Sequence, residues 1–259
     1  MKKSIFVILL TLISFFSFSQ ETIIRGIYLG SNIYVKNPFT ESGTGYCVYQ
    51  VTVNGQITSD QINSSAFEID LSHYDFKIGD RITITLNNKK GCTPEIINPD
   101  AIKPRSSFEV ISAKVSDKGV IHWSTKGELG PLPFIVEHFR WNKWVTVGEV
   151  YGKGVPDINN YQLNVRPHSG KNIFRVKQEE DSQAPRYSAS ITFESASKPV
   201  TFSIKNKSLI FSSSTLFELF NNYGNIVFKG FGDHIDLQEL TNGKYYLNYD
   251  NKMGTFEKK

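Results

Sequence analysis

The feature that most limits what this chain can fold into is its rhythm. Short runs of alternating apolar and polar residues are broken by turn-formers roughly every 8–12 positions, with no sustained helical periodicity. Ala66–Leu71 places Phe67, Ile69 and Leu71 on one face, and Arg81–Leu86 does the same with Ile82, Ile84 and Leu86. Successive side chains of a strand point to opposite faces, so such runs give a sheet one apolar and one polar side. The apolar side is buried by stacking sheet on sheet, and the expected fold class is all-β, built of tandem sandwiches. The 19 Phe and 12 Tyr agree, because aromatic rings suit a pleated, half-buried surface.

The first residues read differently. Lys2 and Lys3 precede an apolar run, Ile5–Phe16, and Ser17 and Ser19 are small residues at −3 and −1 of a cut before Gln20. This is the pattern of a signal peptide over residues 1–19. The run falls short of the ~20 residues a spanning helix needs, although an uncleaved anchor helix is the competing reading. No lipobox cysteine is present, and the first cysteine is Cys47. No later run is long and apolar enough for a membrane-spanning helix. In an exported chain the pair Cys47 and Cys92 favours a disulfide over two buried thiols. It would close a loop of about 45 residues and contribute on the order of 3–4 kcal/mol. Without Cys-x-x-Cys or paired histidines the spacing does not fit zinc.

Charge excludes some partners. The chain has 29 basic and 25 acidic residues, and two of the lysines lie in the leader. A near-balance without long Lys/Arg clusters argues against nucleic acid.

Three modules are expected after the leader. Residues 20–104 hold six or seven short strands, among them Cys47–Val53 followed by Asn54-Gly55, a type I′ hairpin signal. They suggest an immunoglobulin-like sandwich. Pro94–Pro104 carries three prolines and reads as a stiff connector. Residues 105–197 contain Val120-Ile121-His122-Trp123, Phe134–Glu137, Trp144–Val150 and Asn172-Ile173-Phe174-Arg175-Val176. This series resembles a fibronectin type III domain, with Trp123 as core tryptophan and Phe174 where the family usually has tyrosine. The resemblance implies a fold and leaves function open.

Residues 198–259 end in a hairpin around Asn221–Asn225, then Asp236-Leu237, Leu240, Gly243, Tyr245 and finally Lys258-Lys259. The pattern resembles the C-terminal sorting module of proteins exported by the type IX secretion system of Bacteroidetes, a small β-sandwich. The family's Pro-Asn-Pro opening is absent; Phe202–Ile210 stands there instead. The resemblance implies an exported chain associated with the outer membrane or cell surface, its periplasmic face included. It also implies envelope or outer-membrane proteins as partners, components of that secretion system among them.

A search for chemistry yields little. The five histidines are dispersed, and His122 and His138 are expected at the solvent or rim. His168-Ser169-Gly170 reads as a turn, and Glu179-Glu180-Asp181 as a solvated loop rather than a calcium site. No nucleophile, acid–base pair or phosphate loop can be assembled. The expectation is therefore a non-enzyme with no cofactor and no metal. The strongest candidate contact is Arg140, Trp141 and Lys143, where Trp141 is expected exposed at a turn beside a core Trp144 and suited to a protein partner or a sugar face. Tyr28, Tyr34, Phe39 and Tyr46 form a second aromatic group, for which ordinary packing is the stronger reading. The function expected is protein binding or scaffolding, membership of an envelope complex included; the alternative is surface carbohydrate binding or adhesion.

Overall fold

The computed structural model describes residues 20–41, 43–180 and 183–259. The signal peptide expected over residues 1–19, and Asp181 of the acidic run, lie outside the described residues. The chain divides into two compact units, residues 1–103 and 104–259.

The first unit is a sandwich of seven strands: β1 (Gln20–Ile27), β2 (Ile33–Lys36), β3 (Val48–Val53), β4 (Gln56–Ile57), β5 (Ala66–Ile69), β6 (Arg81–Asn88) and β7 (Glu95–Ile96). One sheet runs β1-β6-β3-β4 and the other β5-β2-β7, with every pair antiparallel. In the ordinary immunoglobulin sandwich the first strand lies in the sheet of the second, and the last in the sheet of the penultimate. Here the two are exchanged: β1 pairs with β6 over eight residues, and β7 pairs with β2. The alternating residues meet as expected, with Ile33, Val35, Val51, Val53, Phe67, Ile69, Ile82, Ile84 and Leu86 in one core. Asn54-Gly55 turns between β3 and β4 with both residues at positive φ.

The proline-rich stretch is not a free connector. It forms β7 and a 3₁₀ turn at Pro99–Ile102 that places Ala101 and Ile102 in the first core. A fixed proline φ is compatible with an edge strand and a turn start, and the isoleucines supply the anchors. Gly26 admits this turn: a Cβ there would lie 2.5 Å from the Ile102 carbonyl oxygen.

The second unit opens with β8 (Glu109–Val115), β9 (Val120–Lys126), β10 (Pro133–Arg140), β11 (Lys143–Tyr151), β12 (Asn159–Asn164), β13 (Gly170–Glu180), β14 (Gln183–Tyr187) and β15 (Ile191–Ser195). One sheet is β12-β9-β8; the other is β11-β10-β13, with β14 and β15 both on β13. This is the fibronectin type III arrangement, its last strand in two pieces. Trp123 is the core tryptophan, stacked on Tyr161 at 5.4 Å and edge-on to Phe134 at 6.1 Å. Trp144 is not in that core. A register shift between Val136 and Glu137 interrupts the alternation between β10 and β11. Trp144 lies half-buried against Phe139, with the Arg175 guanidinium 4.0 Å from its ring.

The chain ends in β16 (Phe202–Lys205), β17 (Ser208–Phe220), β18 (Ile226–Asp236), β19 (Gly243–Tyr249) and β20 (Lys252–Lys258). They form one sheet, β16-β17-β19-β20, with β18 also on β17. The β17–β18 register jumps from Ile210↔His234 to Thr215↔Gly232, so Phe211–Ser214 oppose a single residue and β17 bulges. The two arms of the sheet face each other across this bulge: Phe202 of β16 meets Tyr249 of β19 at 5.3 Å, and Phe211 of β17 meets it at 5.8 Å. A single folded sheet thus encloses the core of Leu209, Leu219, Ile235, Leu247 and Phe256.

Candidate functional site

Arg140 and Lys143 face each other at the end of the β10–β11 hairpin, with Trp141 and Asn142 as its two-residue turn. Both turn residues have positive φ, 53° and 59°. Such a backbone is uncommon for tryptophan and is sustained by what its side chain contacts. Trp141 is 9% exposed, and its indole N–H donates to the Asp250 carbonyl oxygen at 3.1 Å. The Arg140 and Lys143 cations lie 5.3 and 5.9 Å from its ring centroid. Lys143 pairs with Glu218 at 2.6 Å. The expected exposed tryptophan is therefore corrected: Trp141 is a buried wedge between the fibronectin-like sandwich and the terminal sheet.

Asp250, which sequence reasoning missed, organises that seam. It sits in the β19–β20 turn at φ 47° and is buried. Its carboxylate accepts from the Ser169 amide at 2.8 Å, the Ser169 hydroxyl at 2.5 Å and the Val200 amide at 3.1 Å. Its own amide donates to Thr215 Oγ1 at 3.0 Å, and Asn251 Nδ2 donates to the Ser169 carbonyl at 3.0 Å. Burial pushes the Asp250 carboxyl upward, but the hydrogen bonds from Ser169 and Val200 outweigh it and hold the group below the usual carboxylate range.

His138 is likewise inside, not at the rim. It lies between the rings of His168 at 4.8 Å and Phe174 at 4.1 Å. Burial first, then the nearby Arg140 and His168, lowers it to about 2. Burial and Arg140 also lower His168. A guanidinium has no acceptor, so the 2.8 Å contact from Arg140 Nη2 assigns His138 Nδ1 as acceptor and puts the proton on Nε2. Among the described residues, His138 Nε2 and Arg140 Nε are both buried without a hydrogen-bond partner. Arg140 Nη2 also donates to the Arg166 carbonyl at 3.1 Å. Burial lowers Arg140 to about 10, opposed by Asp250 and Glu218; it remains a cation at neutral pH.

The terminal motif residues hold a turn. Asp236 accepts from the Gln238 amide at 2.9 Å, and Leu237 is buried while Leu240 packs at the core edge. Gly243 takes φ 145° as β19 begins, and Tyr245 donates to the Thr241 carbonyl at 2.8 Å. Lys258 Nζ donates to the carbonyls of Leu237 at 2.5 Å, Gln238 at 3.0 Å and Leu240. Lys259 is exposed.

Cys47 and Cys92 are bonded. The bond ties the end of the β2–β3 loop, at Cys47, to the segment between β6 and β7, at Cys92. Cys47 N–H donates to the Pro38 carbonyl at 2.9 Å and Thr40 N–H to the Gly45 carbonyl at 3.0 Å. The buried Asn37 accepts from the Val48 amide at 2.9 Å and donates to the Ile62 and Ser64 carbonyls at 3.0 and 3.1 Å. On this braced loop Phe39 is 56% exposed and meets Tyr46 edge-on at 5.3 Å. Tyr34 is also exposed, its hydroxyl 3.1 Å from Glu68. Tyr28 packs on Phe76. Glu179 pairs with Lys177 at 2.8 Å, and Glu180 accepts from the Ser106 amide. Among the described residues no three His, Cys, Asp or Glu side chains are grouped to hold a metal. Among them, too, no helix is long and apolar enough to cross a membrane.

Topology and core together define a multidomain all-β chain of immunoglobulin-like and fibronectin type III-like sandwiches. No family model matches it, and no curated protein matches it. Similar solved structures include a tetra-tandem repeat in the extending region of a large adhesion protein, with 10% identity, TM-score 0.32, and 93% of this chain and 74% of that one covered. The FN1–FN3 domains of chicken CNTN1 give 11%, 0.27, 93% and 96%. The BSP domain of a biofilm associated protein gives 8%, 0.26, 92% and 59%. Likeness at these scores carries no argument about what the chain does.

Proposed function

We propose that this is an exported, non-catalytic binding protein of the bacterial outer membrane or cell surface, working through the first unit. The observation that carries the reading is the β2–β3 loop. An exposed Phe39 braced by Tyr46, the Asn37 hydrogen bonds and the Cys47–Cys92 bond is a rigid aromatic anchor, and rigid anchors bind with little ordering cost. The partner proposed is an envelope protein, with the chain as a stable subunit of its complex. The fibronectin-like sandwich and the terminal sheet, joined at the Asp250 seam, form the other unit. Export through the type IX route rests on the resemblance of the Asp236–Lys259 segment.

A second reading, sugar binding, is favoured by the same exposed ring, since a phenyl face stacks on a pyranose as readily as on a protein side chain.

Native purification from the source membranes, with mass spectrometry of the companions and comparison against Phe39→Ser, tests the proposal. A defined set of envelope proteins, lost in a folded Phe39→Ser variant, is expected. The same set retained by the variant would overturn the site. No companions, together with glycan retention that needs Phe39, would favour the second reading.

A further inference from the structure

The seam leaves a cleft that the binding reading does not use. It has a volume of about 120 Å³ and opens to solvent, and its lining includes Arg140, Arg166, Lys198, Ser213, Ser214 and Asp250. Three cations face one carboxylate there, and that carboxylate already accepts three hydrogen bonds from Ser169 and Val200.

Arg140 is the telling residue. It is 4% exposed, yet among the described residues no carboxylate lies within ion-pair distance of its guanidinium; its polar contacts are a neutral histidine nitrogen and a carbonyl. Asp250 and Glu218 act on it only from beyond ion-pair distance, and a buried cation with no direct ion pair is costly. Arg166 is held with its guanidinium 4.4 Å over the Phe231 ring, again without a carboxylate partner among the described residues. Opposite them the β17 bulge presents Ser213 and Ser214, released from pairing with β18 and exposed. Bulges re-aim side chains at the point where a ladder breaks.

We infer that this cleft binds a tetrahedral oxyanion, a phosphate or sulfate group, free or as a monoester. The guanidinium groups of Arg140 and Arg166 and the Lys198 ammonium supply the charge, and the Ser213 and Ser214 hydroxyls the neutral donors. Guanidinium suits such a group because its planar N–H pairs match two oxygens at once. The net positive balance of the lining disfavours a cation.

The test is titration of the full chain with inorganic phosphate, and separately with glucose 6-phosphate, against chloride at matched ionic strength, read by calorimetry and by the thermal midpoint. Saturable binding of either probe is expected, with the midpoint rising as it saturates. Arg166→Ala and the Ser213→Ala/Ser214→Ala double variant, both altered at exposed or half-buried positions, should fold and weaken binding roughly tenfold or more. Tighter binding of the ester than of inorganic phosphate would identify a larger phosphorylated molecule as the source; the reverse would identify the free ion. No saturable binding of either probe, or binding unchanged in folded variants, would overturn the proposal.

Discussion

Asp250 and Ser169 are 81 residues apart in sequence and joined twice, by the Ser169 amide at 2.8 Å and its hydroxyl at 2.5 Å, both to the Asp250 carboxylate. Each residue is buried. This pair ties the start of β13 to the β19–β20 turn, so the fibronectin-like sandwich and the terminal sheet stand or fall together. Asp250→Ala removes an acceptor of three hydrogen bonds and should cost at least about 2 kcal/mol, since the buried amides of Ser169 and Val200 are left unpaired. Denaturant unfolding checks this; a midpoint unchanged by the substitution would show the seam to be incidental.

Asp250 also sets an acid limit. Its folded-state value lies below the unfolded one. Its contribution is therefore full above the unfolded carboxylate value, about 3.9, and is lost as pH falls through the folded value. Below about pH 4, Asp250→Asn should flatten the fall in the thermal midpoint relative to the parent.

His138 acts at milder pH. Its folded value, about 2, lies far below the unfolded 6.5. The unfolded chain therefore binds the proton first. Stability is full above about pH 6.5 and declines as pH falls, by about 2 kcal/mol at pH 5 for this residue. His138→Gln keeps an acceptor for Arg140 and cannot titrate. Its midpoint should change less between pH 7 and 5 than the parent's; equal slopes would refute the assignment.

Reducing Cys47–Cys92, or replacing both by serine, should lower the stability of the first unit by about 3–4 kcal/mol through the freed 45-residue loop. Calorimetry of the full chain with and without reductant reads this directly. Binding that depends on Phe39 should weaken in parallel, because the loop loses its brace.

Lys258 should matter for structure. It donates to three carbonyls of the Leu237–Leu240 turn. Lys258→Met retains the aliphatic stem and removes the donors, and a loss of about 1–2 kcal/mol is expected. Lys259→Met, at an exposed position, should leave the unfolding midpoint in place and serves as the control.

Much of the fold was legible because strand alternation is a local property. Phe67, Ile69 and Leu71, or Ile82, Ile84 and Leu86, each sort to one side of a pleat by geometry alone, and they do so in the first core. The Cys47–Cys92 bond followed from their number and an export reading, and Trp123 as core tryptophan from its strand. The Pro94–Pro104 stretch reads as a connector yet packs on the first core, because proline constrains φ without revealing whether the neighbouring Ile96 and Ile102 find a core.

What the sequence determined by itself was an all-β chain, its apolar faces and its turns, all set by residues within a few positions of one another. What only the tertiary structure decided was which turns are covered. Trp141 lies at the hairpin tip its sequence implies, yet it is buried because Asp250, 109 residues later, presents a carbonyl to its indole. His138, Arg140 and Ser213 likewise take their surroundings from segments distant in the chain. No local pattern encodes such meetings, since burial and charge environment are properties of the surfaces that pack together.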